Sequence, residues 1–150
     1  VHLFLVHHGD AVGPESDPRR PLSPRGQEDT ERLAVEAAAR GARPAVVWHS
    51  GKLRARQTAL AYWRTCNALA EFSATRDLQP EDPASFMRDR MRGESRDIML
   101  VGHYPHLPAL LGLLVTGCAD TRAGFPQHGV VALETADEGD TWTEIWRLEA

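Results

Sequence analysis

At 150 residues the chain is long enough for one domain that buries about two-thirds of its surface on folding. With 42% hydrophobic and 25% charged residues the composition is that of a globular protein rather than a disordered tract, and no apolar run nears the ~18 residues of a membrane span. A net charge of −4 argues against a general nucleic-acid binder.

The first apolar run, His2 to Val6, reads as a buried strand that turns polar at once in His7-His8-Gly9. It reads as strand from the outset, not as a leader. The segment from Gly9 to Leu22 is long for a connection, and it holds Arg19-Arg20. Ser23-Pro24 reads as N-cap and first helical residue. That helix should run to about Arg40, with Leu33, Ala34, Ala37 and Ala38 on its core face and Gly41 as its stop.

Pro44 to Trp48 is a second short strand, again ending in polar residues, His49-Ser50-Gly51. A helix is expected from Leu53 to Leu69. Its Ala59, Trp63 and Cys66, with Ala70 beyond, recur at core spacing, and Arg54 and Gln57 sit in its first turn. Phe72 to Thr75 reads as a small strand and Ala84 to Met91 as a helix. Asp97 to Val101 is the next buried strand, ending in Gly102-His103-Tyr104-Pro105. Leu107, Leu110, Leu111 and Leu114 mark the helix that Gly117 ends. Alternation in Val131, Leu133, Trp142, Ile145 and Trp146 brackets Asp137-Glu138-Gly139-Asp140, so Gly129 to Leu148 is an antiparallel hairpin. Cys66 and Cys118 fit no metal or redox spacing and read as core thiols in a reducing compartment.

Alternating strands and helices give a three-layer α/β/α sandwich over residues 1–150, with a mainly parallel sheet and a C-terminal antiparallel hairpin. Right-handed crossovers put the parallel strand ends on one edge, where ligands bind in open α/β sheets. His7-His8, His49-Ser50 and His103 should therefore converge, with Arg54 entering from a helix N-terminus. A neutral imidazole is a nucleophile, and a guanidinium or a helix N-terminus holds phosphate oxygens. The set His8, Arg54 and His103 suits phosphoryl transfer.

Four segments in order carry a resemblance. His7-His8-Gly9-Asp10-Ala11 is similar to Arg-His-Gly-x-Ala at the end of a first strand. Arg20-Pro21-Leu22-Ser23-Pro24-Arg25-Gly26 matches Arg-Pro-Leu-Ser/Thr-x-x-Gly. Ser50 to Thr58 matches Ser-x-x-x-Arg-Ala-x-Gln-Thr, and Gly102-His103-Tyr104-Pro105 matches Gly/Ser-His-x-Pro. The chain thus resembles the histidine phosphatase superfamily, and within it the small SixA-type phosphohistidine phosphatases, which implies a phosphoglycerate mutase-like fold.

By that resemblance His8 is the nucleophile that becomes transiently phosphorylated, His103 is a second catalytic residue, and His7, Arg54 and His103 bind phosphate. Arg20, Ser50 and His128 are expected at the rim. Gln57 and Thr58 are expected to support Arg54. The family's Arg at position 7 is His7 here. A bound dianion could raise the pKa of that imidazole, and phosphate affinity should then improve below about pH 7, until His8 protonates. The chain has no room for a large cap, so an open site is expected, suited to phosphohistidine on a protein surface. Asp10, Glu15, Glu81 and Asp82 read as loop carboxylates, and His49 and His106 as solvent-facing or locally bonded rings.

The implied function is removal of phosphate from a protein phosphohistidine, in the cytoplasm and without a cofactor. The alternative is a weakened relative that binds phosphate or a phosphorylated partner without efficient turnover. A small phosphate ester is the other substrate class; neither nucleic acid nor membrane is an expected partner. A metal hydrolase built on His7, His8 and His103 has no supporting ligand spacing, so no metal ligand is assigned. Oligomeric state is not legible.

Overall fold

A computed structural model describes residues 1–119 and 124–150. The elements are β1 (His2–His7), α1 (Pro24–Ala39), β2 (Val46–His49), α2 (Leu53–Cys66), β3 (Glu71–Ala74), α3 (Ala84–Met91), β4 (Ile98–Gly102), α4 (His106–Thr116), β5 (Val130–Glu134) and β6 (Thr143–Leu148). The strands form one sheet in the order β3-β2-β4-β1-β5-β6. The first four are mutually parallel, and β5 and β6 run antiparallel.

The period-two pattern of β1 explains the three layers. Leu3 and Leu5 face a core with Met87 and Met91 of α3 and Leu107, Leu110 and Leu114 of α4. Phe4 and Val6 face the opposite core with Leu33, Ala34 and Ala37 of α1 and Ala55, Ala59 and Tyr62 of α2. A central strand buried on both faces must be apolar where it is buried, as this one is from Leu3 to Val6. No helix among the described residues is long and apolar enough to cross a membrane.

Helix α1 begins as its sequence predicts, with the Ser23 hydroxyl accepting the Gly26 N–H at 3.0 Å. Helix α2 stops at Cys66, short of Leu69. Asn67 turns extended there, because its amide donates to the Pro44 carbonyl at 2.9 Å and accepts the Leu69 N–H at 3.1 Å. Cys66 is buried as expected, and burial pushes its thiol up to about 11. Cys118 corrects the reading: it lies just past the left-handed Gly117 that ends α4, and it is exposed. The hairpin forms, but its alternation breaks. Ala132 pairs with Trp146 while Leu133 pairs with Glu144, so Ile145 is an extra residue in a β-bulge and turns outward.

The β1–α1 loop is drawn tightly onto the start of α1. A Cβ on Gly26 would lie 2.0 Å from the Asp10 carbonyl oxygen, and one on Gly9 would lie 2.5 Å from Thr30 Oγ1. Both approaches require a missing side chain. Gly26→Ala should destabilise the chain by about 1–3 kcal/mol as the backbone shifts, read as a lower urea midpoint with an unchanged slope.

Candidate active site

Register places the strand ends side by side. His7 of β1 lies opposite Gly102 of β4, and His49 of β2 lies opposite Val101. Strand β5 runs the other way, so its start, not its end, meets the same rim; this brings His128 beside β1. Four imidazoles gather there. Ring centroids are 4.5 Å apart for His7 and His8, 5.0 Å for His8 and His103, and 4.9 Å for His7 and His128.

His8 sits just past β1 and is half-buried. Its Nδ1 lies 2.7 Å from the Gly9 carbonyl. A carbonyl only accepts, so Nδ1 carries the proton and Nε2 keeps its lone pair. The Gly9 N–H is held in turn by Thr58 Oγ1 at 2.9 Å, and the same hydroxyl donates to the Arg54 carbonyl at 2.8 Å. Burial pushes the His8 pKa down to about 4, assisted by Arg54, His128 and Arg20 and opposed by the Gly9 bond. The ring is neutral at pH 7, as a nitrogen nucleophile must be.

His103 is fully buried, with Nε2 at 2.6 Å from Ser50 Oγ. Ser50 Oγ already accepts the Lys52 N–H, so its own hydrogen can go to Nε2. The proton of His103 is then on Nδ1. That atom is buried and has no partner among the described residues, and neither has the buried Nε–H of Arg54. An unpaired buried donor costs about 1–3 kcal/mol, so both are suited to donate to an oxyanion. Burial, then His8 and Arg54, lower the His103 pKa to about 3. Arg54 stands in the first turn of α2, whose N-cap Lys52 makes no side-chain cap. The free N–H groups of that turn add partial positive charge.

His7 is buried between the Tyr104 ring, stacked at 4.3 Å, and His128. Its Nδ1 accepts the His128 backbone N–H at 2.8 Å, so the neutral ring presents Nε2–H. Burial, then His8, His128, His103 and Arg54, push its pKa down to about 2. Protonation at Nδ1 would break the bond to His128. His7 is an uncharged donor in place of a guanidinium.

His128 is half-exposed with a left-handed backbone, φ 58. Its Nδ1 lies 2.7 Å from the His8 carbonyl, and its Nε2 lies 3.9 Å from Asp10 Oδ1. Arg20 also has positive φ, and its Nε donates to the Val12 carbonyl at 3.1 Å; its charge reaches both His8 and Arg54. Gln57 Oε1 accepts the Leu22 N–H and so ties the loop to α2. The rings at positions 49 and 106 are both buried, not solvent-facing. His49 Nδ1 is locally bonded to the Gly51 N–H, and His106 has no partner. Asp82 caps the Gln79 N–H, while Glu15 and Glu81 are exposed. Sequence reasoning missed the Tyr104 stack, whose one visible sign was an aromatic beside His103.

His7, His8 and His128 bring one ring nitrogen each within 4.8 Å of one another, a spacing that a metal could use. The tautomers disfavour it. His7 offers N–H rather than a lone pair at Nε2, so the group as bonded is shaped for an oxyanion.

No protein-family model matches the sequence, and no curated protein sequence matches it. Solved structures do. The protein histidine phosphatase SixA complexed with tungstate matches with TM-score 0.83 and 21% identity, over 99% of this chain and 97% of that one. A protein from Agrobacterium tumefaciens assigned as phosphohistidine phosphatase SixA matches with TM-score 0.79 and 23% identity, over 99% and 97%. This chain has the histidine phosphatase fold. Phosphoglycerate mutase from Plasmodium falciparum shares it more distantly, at TM-score 0.70 and 13% identity, over 97% and 88%.

In this histidine phosphatase fold the neutral imidazole cluster is coupled to stability. His7, His8 and His103 are held below their ordinary pKa, so unfolding takes up protons. The stability they contribute is full above about pH 6.5 and is lost as pH falls toward the folded values. Urea unfolding between about pH 6.5 and 5 should show stability falling by up to about 1.4 kcal/mol per pH unit for each ring. Three rings without shift would leave that window flat.

Proposed function

We propose that this chain is a phosphatase of the SixA type that removes phosphate from a protein phosphohistidine through a phospho-His8 intermediate. The observation that carries the reading is the pair of buried, unpaired donors, Arg54 Nε and His103 Nδ1, beside an imidazole whose Nε2 lone pair is free. Two cores hold the strand ends in place, so the donors are fixed before any anion arrives. The match in fold to SixA supports the substrate class.

In this reading His8 Nε2 attacks phosphorus while its Nδ1–H stays on the Gly9 carbonyl. Arg54, His103 and the Nε2–H of His7 hold the three phosphoryl oxygens, with Arg20 at the rim; Ser50, expected there, is buried and holds His103 from behind. The substrate's P–N bond breaks and its imidazole, protonated on the other ring nitrogen, leaves as the neutral ring. Water oxygen then bonds to phosphorus as the P–N bond to His8 breaks, its electron pair returning to Nε2 and the protons of water staying with phosphate or passing to solvent. The working unit is a single domain spanning 1–150 in a reducing cytoplasm, where Cys66 and Cys118 stay as thiols.

The neutral His7 favours a second reading, in which the pocket binds a phosphorylated partner with little turnover. Losing one charged donor costs about 10²–10³ in rate in well-studied sites. Incubation with a phosphohistidine protein separates the two. His8→Ala should lower turnover by about 10³ or more, and Arg54→Ala by about 10². His7→Arg should change kcat/KM by less than about tenfold; a gain near 10² would favour the binding reading.

A further inference from the structure

His128 is bonded to both residues of the His7-His8 pair, yet the reaction above leaves its Nε2 unused. Its backbone N–H donates to His7 Nδ1, and its Nδ1 is bonded to the His8 carbonyl at 2.7 Å. Because a carbonyl only accepts, Nδ1 keeps its hydrogen whether the ring is neutral or charged. Only Nε2 can then gain or lose a proton. That atom faces Asp10 Oδ1 at 3.9 Å. The His128 ring is 6.0 Å from the His8 ring, centroid to centroid. A groove of about 680 Å³ opens on this side, lined by Asp10, Arg25, Asp29, Phe125, His128 and Glu149 among others. It gives a departing group somewhere to go.

We propose that His128 Nε2, backed by Asp10, is the proton donor to the leaving group, which extends the substrates of this site to alkyl phosphates. The inference rests on the reading of His8 as nucleophile. In the first step the His8 Nε2 lone pair forms a bond to phosphorus, and the P–O bond to the alcohol breaks. The electron pair goes to the alcohol oxygen, which takes the Nε2 proton of His128. In the second step neutral His128 takes a proton from water as its oxygen bonds to phosphorus and the P–N bond to His8 breaks. Both rings return to their starting states.

His128→Asn isolates Nε2. Asn tolerates a left-handed backbone, and its amide can still donate to the His8 carbonyl. The test compares n-propyl phosphate, whose alkoxide needs a proton, with p-nitrophenyl phosphate, whose phenolate does not. The loss in kcat/KM on propyl phosphate should reach about 10² and exceed the loss on the aryl ester by at least about tenfold. The aryl ester should also give a burst of nitrophenolate, because hydrolysis of phospho-His8 has lost its base. Asp10→Asn should show the same asymmetry at smaller size. Equal losses on both esters, or none on propyl phosphate, would overturn the proposal. If the unaltered chain hydrolyses neither ester nor phosphohistidine, the His8 reading itself fails, and this inference with it.

Discussion

The bond from His8 Nδ1 to the Gly9 carbonyl is the contact on which the site depends. It decides which nitrogen of the ring is protonated, and so which one is free to react. The acceptor must itself be immobile. Thr58 holds the Gly9 N–H from α2, and Thr30 of α1 packs so closely that Gly9 can carry no side chain. Two helices on the same face of the sheet thus fix one carbonyl, and that carbonyl fixes one imidazole.

Charge around that ring is arranged with few compensating acids. Arg54 and Arg20 bring fixed positive charge, and His7, His8 and His103 are held neutral beside them. Burial is the first cause for His7, His8 and His103, and mutual repulsion adds to it. A dianion relieves both at once, since it supplies acceptors for unpaired donors and opposite charge for the guanidinium groups. The donors and the charges of the pocket thus both match an oxyanion.

Much of this was legible along the chain. His8, Arg54 and His103 each stand where an apolar strand turns polar or a helix begins, so topology alone brings them to one rim. The protonation of His7 was not legible, because it is set by a backbone N–H 121 residues away. His128 has the same difficulty: it reaches the rim only because β5 runs against β1. Helix α2 was read too long since Ala70 keeps helical spacing, while Asn67 finds a non-local partner in Pro44. Ile145 looked like a core position until the bulge shifted it. Cys118 was read as core from its closeness to an apolar helix, but it lies beyond the turn that ends it.

The displaced residue in β6 has a consequence at the outer margin of the molecule. A border strand with a full row of open amides invites another polypeptide to add itself on. Here the row is out of step at Ile145, and Arg147 and Glu144 are linked beside it at 2.8 Å. A newcomer could not stay in phase along that flank, so self-templated growth from this border is discouraged by the same irregularity that spoils the alternation.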